Sequence, residues 1–291
     1  MKHRSGFVNI LGNPNVGKST MMNRLVGQKL SIITSKAQTT RHRIKGIVNG
    51  DDFQIVYSDT PGILNPKYKL QESMMRTVNS ALEDADLILY VTDVVEKFDK
   101  NNEYLQKIKQ LKTPKIIVIN KIDLTDSQKL DKLYSRWEEL FPNTAIVPLS
   151  ALNNFNLNNL LDLILEKIPE GPAWFPKDQL TDRFERYFVT EIIREKILLY
   201  YSKEIPYSVE VEIEEYIEEK NINRIRALIH VVRESQKGII IGHKGRMLKK
   251  IGTEARKDIE EFTGKKAFIE IYVKVNKEWR DNASKLKNFG Y

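Results

Sequence analysis

Short apolar runs alternate with longer amphipathic stretches over the first 168 residues of the chain. "FVNIL", "RIKGIVN", "FQIVYS", "DLILYVTD", "KIIVIN" and "TAIVPLS" have the length and β-branched content of strands, and most stretches between them repeat apolar positions at helical spacing. Such alternation predicts an α/β domain with a mainly parallel sheet, helices on both faces and ligand loops at the strand carboxyl ends. The rhythm stops at "IPEGPAWFPKD", residues 168–178, where three prolines and a glycine suit neither a helix interior nor a central strand. Beyond it the pattern predicts a helix over 182–200, the alternating strands "YSVEVEIEEYIEE" and "INRIRALIHVVRE", a glycine turn, a helix over 246–263 and a last strand, "KAFIEIYVKV". The expected organisation is a first domain over 1–170, a linker over 171–180 and an α+β domain over 181–291, with no internal repeat or low-complexity segment.

Composition narrows the class. The 291 residues are 41% hydrophobic and 30% charged, as in ordinary globular proteins, and suffice for two cores. Cysteine is absent, which excludes disulfides and thiolate zinc sites. "MKHRSGFVNILG" passes from basic residues into a strand, leaving no room for an export signal's apolar core, and no apolar run approaches the ~20 residues that span a bilayer. The expected location is the cytoplasm, at most at a membrane surface. The net charge of +8 is unevenly placed: residues 1–170 carry 23 Lys+Arg against 19 Asp+Glu, residues 173–234 carry 10 against 13, and residues 235–291 carry 14 against 7. A basic C-terminal end suits a polyanion, although charge alone is equally that of a solubilising tail.

"GNPNVGKST" supplies the first chemistry. Gly12-Asn13-Pro14-Asn15-Val16-Gly17-Lys18-Ser19-Thr20 fits G-x-x-x-x-G-K-[ST] between a predicted strand and a predicted helix. Glycines let the backbone curl so that N–H groups face phosphate oxygens, Lys18 can reach the β and γ phosphates, and Ser19 offers a hydroxyl to Mg2+. "NKID" follows a strand about a hundred residues later. The Asp123 carboxylate can accept from guanine N1–H and the exocyclic amine together, which adenine cannot match. Asn120 is expected to link this loop to the phosphate loop and the stem of Lys121 to cover the base. In "SAL" (Ser150, Ala151, Leu152) the Ala151 N–H could meet guanine O6.

These motifs, in this order, resemble the translation-factor-related GTPases over roughly the first 170 residues. The resemblance implies that in Asp59-Thr60-Pro61-Gly62 the aspartate holds Mg2+ through water and the Gly62 N–H senses the γ phosphate. It also implies a switch threonine on Mg2+, either Thr39 or Thr40, with Thr40 favoured because related proteins carry Thr-Arg there. Ile63 stands where the best-known members place the glutamine that orients water. GTPases with an apolar residue at that point often carry a K+-ligating asparagine, and Asn15 occupies the matching position, where it could equally be a plain loop residue. The candidate catalytic residues are thus Lys18, Thr40, Asn15 and Gly62, with Mg2+, K+ and Lys18 stabilising charge while switch backbone groups hold the water.

"GIIIGHKGRMLKKIG" carries Gly242-His243-Lys244-Gly245 before a basic amphipathic helix and looks like the loop of a KH domain, which clamps about four nucleotides. The preceding helix marks the type II arrangement. Lys244, Arg246, Lys249 and Lys250 could meet phosphates, Ile240 and Ile241 wall the groove, and His243 is a solvent-facing loop residue. His3, His42 and His230 have no metal-ligand spacing, and Trp279 either stacks on a base or, the favoured use, anchors the tail.

A phosphate-loop GTPase followed by one KH module is similar to the Era family of bacterial ribosome-assembly GTPases over essentially the whole chain. That resemblance implies GTP/GDP and Mg2+, binding of single-stranded RNA near the 3′ end of small-subunit ribosomal RNA, a role in 30S subunit assembly and contact with the inner membrane surface. A monomer is expected. The rival readings are a KH protein whose nucleotide is mainly structural and a GTP-dependent RNA-modifying enzyme, for which no further chemistry is found.

Overall fold

The computed structural model describes residues 2–98 and 101–291. Two compact units divide the chain, one holding the residues up to Lys67 with Gln71–Asp182, the other Tyr68–Leu70 with Arg183–Tyr291.

The first unit runs β1 (Arg4–Gly12), α1 (Lys18–Val26), β2 (Ile44–Asn49), β3 (Phe53–Asp59), α2 (Lys69–Glu83), β4 (Leu87–Asp93), α3 (Asn102–Gln110), β5 (Lys115–Asn120), α4 (Ser127–Leu140), β6 (Ala145–Pro148) and α5 (Leu157–Lys167). Its sheet has the order β2-β3-β1-β4-β5-β6, with β2 antiparallel to β3 and the remaining pairs parallel. Strands covered on both faces should read as continuous apolar runs, and β4 is buried at every position. Parallel strands align their carboxyl ends, so β1 delivers Gly12, β3 delivers Asp59 and β5 delivers Asn120 to one edge.

The proline-rich stretch expected as a linker lies along this sheet. Ile47 N–H donates to Leu180 O at 2.8 Å, and Thr181 Oγ1 donates to Lys45 O at 2.7 Å. The Gln54 amide accepts from the N–H groups of Trp174 and Phe175 at 2.7 and 2.9 Å and donates to Phe175 O at 2.8 Å. Strand β2 is an edge whose outer polar groups need cover, and this segment supplies it.

The second unit comprises α6 (Glu185–Tyr200), α7 (Ile205–Ser208), β7 (Glu210–Glu218), β8 (Ile222–Val231), α8 (Glu234–Ile241), α9 (Arg246–Thr263), β9 (Lys266–Val275) and α10 (Ala283–Asn288). Strand β8 pairs antiparallel with β7 and parallel with β9. The parallel pair requires a crossover, which α8, the glycine turn and α9 provide. Ile251, Ala255 and Ile259 of α9 enter a core with Ile193 and Ile197 of α6 and Ile225 and Ile229 of β8. The strand expected to reach residue 234 stops at Val231, because Gln236 Oε1 accepts from Val232 N–H and Arg233 N–H at 3.0 Å each and turns the chain into α8. Trp279 is an anchor: fully buried, it donates from Nε1 to Ser208 O at 3.2 Å and meets the Phe289 ring edge-on, so base stacking is excluded in this arrangement.

Candidate functional site

The loop from β1 to α1 is closed by two glycines that nothing larger could replace. Gly12 has φ +147°, and a Cβ there would lie 2.1 Å from Val91 O; Gly17 has φ +94°, and its Cβ would lie 2.2 Å from Asn120 Nδ2. Between them Asn15 takes the left-handed conformation with φ 67°. The first turn of α1 holds no acidic residue, leaving its N–H groups suited to an anion. Lys18 curls back, its Nζ donating to Gly12 O at 3.1 Å and Asn13 O at 2.8 Å. Burial lowers its pKa to about 8, against the attraction of Asp59 and Glu96. Phosphate oxygens in place of those carbonyls would favour the charged form and raise this pKa again.

Beside it three oxygen-bearing side chains converge. Ser19 Oγ donates to Asp59 Oδ2 at 2.7 Å, and Thr40 Oγ1 lies 3.0 Å from Ser19 Oγ and 3.2 Å from Asp59 Oδ2. Asp59 Oδ1 is buried without a hydrogen-bond partner. Burial raises the Asp59 pKa even though Lys18 and the Ser19 hydroxyl oppose it. A desolvated carboxylate with one unused oxygen between two hydroxyls is a donor set that fits a hard divalent cation such as Mg2+. The other candidate, Thr39, turns elsewhere, its Oγ1 2.7 Å from both Lys36 O and Thr34 Oγ1.

After Asp59, Thr60 Oγ1 donates to Ile10 O at 2.7 Å, and Pro61 leads into Gly62, where a Cβ would come within 2.7 Å of Pro14. The switch segment therefore lies directly on the phosphate loop. Ile63 N–H donates to Gly12 O at 3.0 Å, while the Ile63 side chain is only 1% exposed, in the core cluster that includes Leu11, Met75 and Val78. The residue in the glutamine position is a core anchor that does not face water.

Asn120 Nδ2 donates to Val16 O at 2.8 Å, joining the base motif to the phosphate loop. Its Oδ1 accepts the Ala151 N–H at 3.0 Å, so the group expected at guanine O6 is engaged by Asn120 here. Asp123 Oδ1 accepts from Ser150 Oγ at 2.5 Å. Lys121 reaches back, donating to Asn15 O at 2.6 Å and Asp93 Oδ2 at 2.5 Å. A cavity of about 340 Å3 is lined by Pro14, Asn15, Gly17, Lys18, Ser19, Thr20, Thr40, Gly62 and Lys121. Thr39, the alternative switch threonine, lines it as well, as do Ile32–Lys36 and Gln38, for which no spacing signals a role. Asp123, Ser150, Ala151 and the exposed Leu152 stand outside this lining, and Ala151 is tied to the phosphate loop through Asn120.

In the second unit the glycine turn holds Gly242 at φ 72°, Lys244 at φ 50° and Gly245 at φ 75°. A Cβ on Gly242 would meet Met247 at 2.8 Å. His243, Lys244, Arg246, Lys249 and Lys250 are exposed. A groove of about 540 Å3 runs between α9 and β9, with Leu248, Ala267, Ile269 and Ile271 as apolar lining and Lys249, Thr253 and Arg256 as polar lining. Ile240 does not wall it: its side chain is fully buried in the core and its carbonyl accepts from Tyr201 OH at 2.7 Å. Ile241 is half-buried and is not part of the groove lining, and the Lys250 ammonium lies 4.0 Å over the Tyr200 ring. Among the described residues no cluster of His and carboxylate side chains could hold a metal, and no helix is long and apolar enough to cross a membrane.

A phosphate loop and a base motif at the carboxyl edge of a doubly covered, mainly parallel sheet, followed by a glycine-loop helix pair on a three-stranded sheet, define a phosphate-loop GTPase carrying a KH domain. Residues 7–121 match the family described as "50S ribosome-binding GTPase", and residues 204–280 match the KH domain. The chain is 44% identical to GTPase Era of Staphylococcus haemolyticus and 42% identical to that of Staphylococcus epidermidis, each over 292 residues covering 100% of this chain and 98% of the relative. It belongs to the Era family of GTPases. Among solved structures, Era in complex with MgGDPNP and nucleotides 1506–1542 of 16S ribosomal RNA matches with a TM-score of 0.95 and 40% identity, covering 99% of both chains. A variant of Aquifex aeolicus Era bound to GDP and AlF4− matches with a TM-score of 0.95 and 41% identity, again over 99% of both.

Proposed function

We propose that this chain is a GTP-hydrolysing switch whose second unit grips single-stranded RNA near the 3′ end of small-subunit ribosomal RNA during 30S assembly. The observation that carries the reading is the meeting of Ser19, Thr40 and the unpartnered Asp59 oxygen beside Lys18. Mg2+ at those oxygens would offset the charge of the β and γ phosphates. Lys18 would exchange its two carbonyl partners for phosphate oxygens, and the Gly62 N–H would meet the third phosphate and so hold the switch closed. Asp123 pairs with guanine, with Asn120 transmitting base occupancy to Val16 and the phosphate loop.

Ile63, buried and without a polar group, contributes no hydrogen bond to the water. Hydrolysis therefore rests on charge stabilisation and backbone groups, and a slow intrinsic rate suits a timer ended by a partner. Asn15 Nδ2 is held by Ser35 O at 3.1 Å, which leaves its amide oxygen as the group it can offer K+. The RNA partner is taken from the full-length relative solved with 16S nucleotides, although the family description over residues 7–121 names the 50S subunit. On the family resemblance, we include monomeric action and peripheral contact with the inner membrane surface.

Turnover and RNA affinity measured together test this. GTP hydrolysis should be faster in K+ than in Na+ and be stimulated by RNA bearing the small-subunit 3′ sequence, and RNA affinity should differ among the empty, GDP and GTP-analogue forms. Equal RNA binding in all three forms would leave a KH protein with a structural nucleotide. Crosslinks in cells that fall on large-subunit RNA would refute the partner.

A further inference from the structure

The described part of the connection between β4 and α3 carries a hydrogen-bond chain that the GTPase motifs do not include. Asn13, buried in the phosphate loop, donates from Nδ2 to Glu96 Oε2 at 2.6 Å. A carboxylate only accepts, so this contact fixes the orientation of the Asn13 amide and turns its Oδ1 the other way. That oxygen accepts from Asn101 Nδ2, and the same nitrogen donates its second hydrogen to Ile63 O at 3.1 Å. Glu96 is itself seated: Thr92 Oγ1 donates to its Oε1 at 2.6 Å, and Asp93 Oδ1 accepts from Val95 N–H and Glu96 N–H at 2.8 and 2.7 Å. Each of these contacts pairs a donor with an acceptor. Ile63 is consequently held at both backbone groups, its N–H by Gly12 and its carbonyl by Asn101.

We propose that Asn101 is a positioning residue for hydrolysis. Acting through Asn13 and Glu96, it clamps Gly62 and Ile63 against the phosphate loop, so that backbone groups hold the geometry a side chain supplies in other GTPases. The inference rests on the GTP-hydrolysis reading above. Asn101→Ala removes both donations, and Asn101→Asp, of equal size, sets a carboxylate against two acceptors.

The test uses the full chain, with steady-state turnover, direct binding of GDP and of a non-hydrolysable GTP analogue, and thermal melting as the check on folding. Asn101→Ala should lower kcat about tenfold, equivalent to about 1.4 kcal/mol, and Asn101→Asp by more. GDP affinity should stay within about twofold while affinity for the analogue falls severalfold, the split expected when only the closed arrangement is weakened. Glu96→Gln retains an acceptor for Asn13 and should keep far more turnover than Glu96→Ala; this pair carries the comparison should position 101 not tolerate change. Unchanged kcat, or GDP affinity falling as far as kcat, would overturn the proposal. A wild-type chain without turnover would remove the underlying reading as well, whereas normal wild-type turnover with unaffected variants removes this inference alone.

Discussion

Asn120 is the joint between base and phosphate recognition, and cutting it has a calculable cost. Its amide sits 2% exposed, donating to Val16 O at 2.8 Å and accepting from Ala151 N–H at 3.0 Å. Asn120→Ala leaves a carbonyl and an N–H without partners, at roughly 1–3 kcal/mol each. Water entering the vacated space recovers part, so a net cost of about 2–4 kcal/mol is expected. In the empty protein the two loops can relax apart, whereas bound nucleotide demands both, so most of the cost falls on affinity. GDP should bind roughly 30-fold to 1000-fold more weakly. Calorimetric titration with GDP, alongside melting of the empty protein, measures both parts. Asn120→Asp separates the two contacts, because it keeps an acceptor for Ala151 yet faces the Val16 carbonyl with a carboxylate; it should bind no better than the alanine variant. GDP affinity within threefold of wild type in a folded variant would refute the coupling.

Asp123→Asn should lower guanine discrimination by roughly 10²-fold and favour xanthine nucleotides, whose added carbonyl accepts from the amide; competition between GTP and XTP reads this directly. With the Lys18 pKa at about 8 in the empty protein, phosphate binding above that pH must take up a proton, so nucleotide affinity should fall by about tenfold per pH unit as pH rises past 8. The same depressed value lies below the ordinary 10.5, so the unfolded chain binds more protons between them and the empty protein should gain stability across that window, measurable by denaturant titration. Lys249→Glu, in the α9–β9 groove, should weaken single-stranded RNA binding and reduce its salt slope by about 1, with GTP affinity unaffected.

The phosphate loop, "DTPG" and "NKID" are legible as motifs because their chemistry is local: each places its groups within a few residues, and strand ends bring them together. Contacts outside any motif are not. Asn13 and Asn101 meet across 88 positions, a pairing no motif encodes. Ile240 was read as groove wall because it neighbours the glycine turn, yet α8 directs it into the core; the short "ESQKGIII", with a glycine and three isoleucines, carries little helical signal. Helix α5 ends at Lys167, but the prolines of 168–178 do not reveal that Leu180 and Thr181, just beyond them, would satisfy the outer edge of β2.

The burial of Ile63 has an evolutionary consequence. A glutamine introduced there must either bring an amide into a packed hydrocarbon interior or pull the segment off its seat, so a mutation that would quicken the enzyme also endangers its fold. Selection for speed and selection for foldedness oppose each other at a single codon. On the proposed reading of a slow intrinsic rate, the packing of Ile63 guards that rate against drift toward a faster clock.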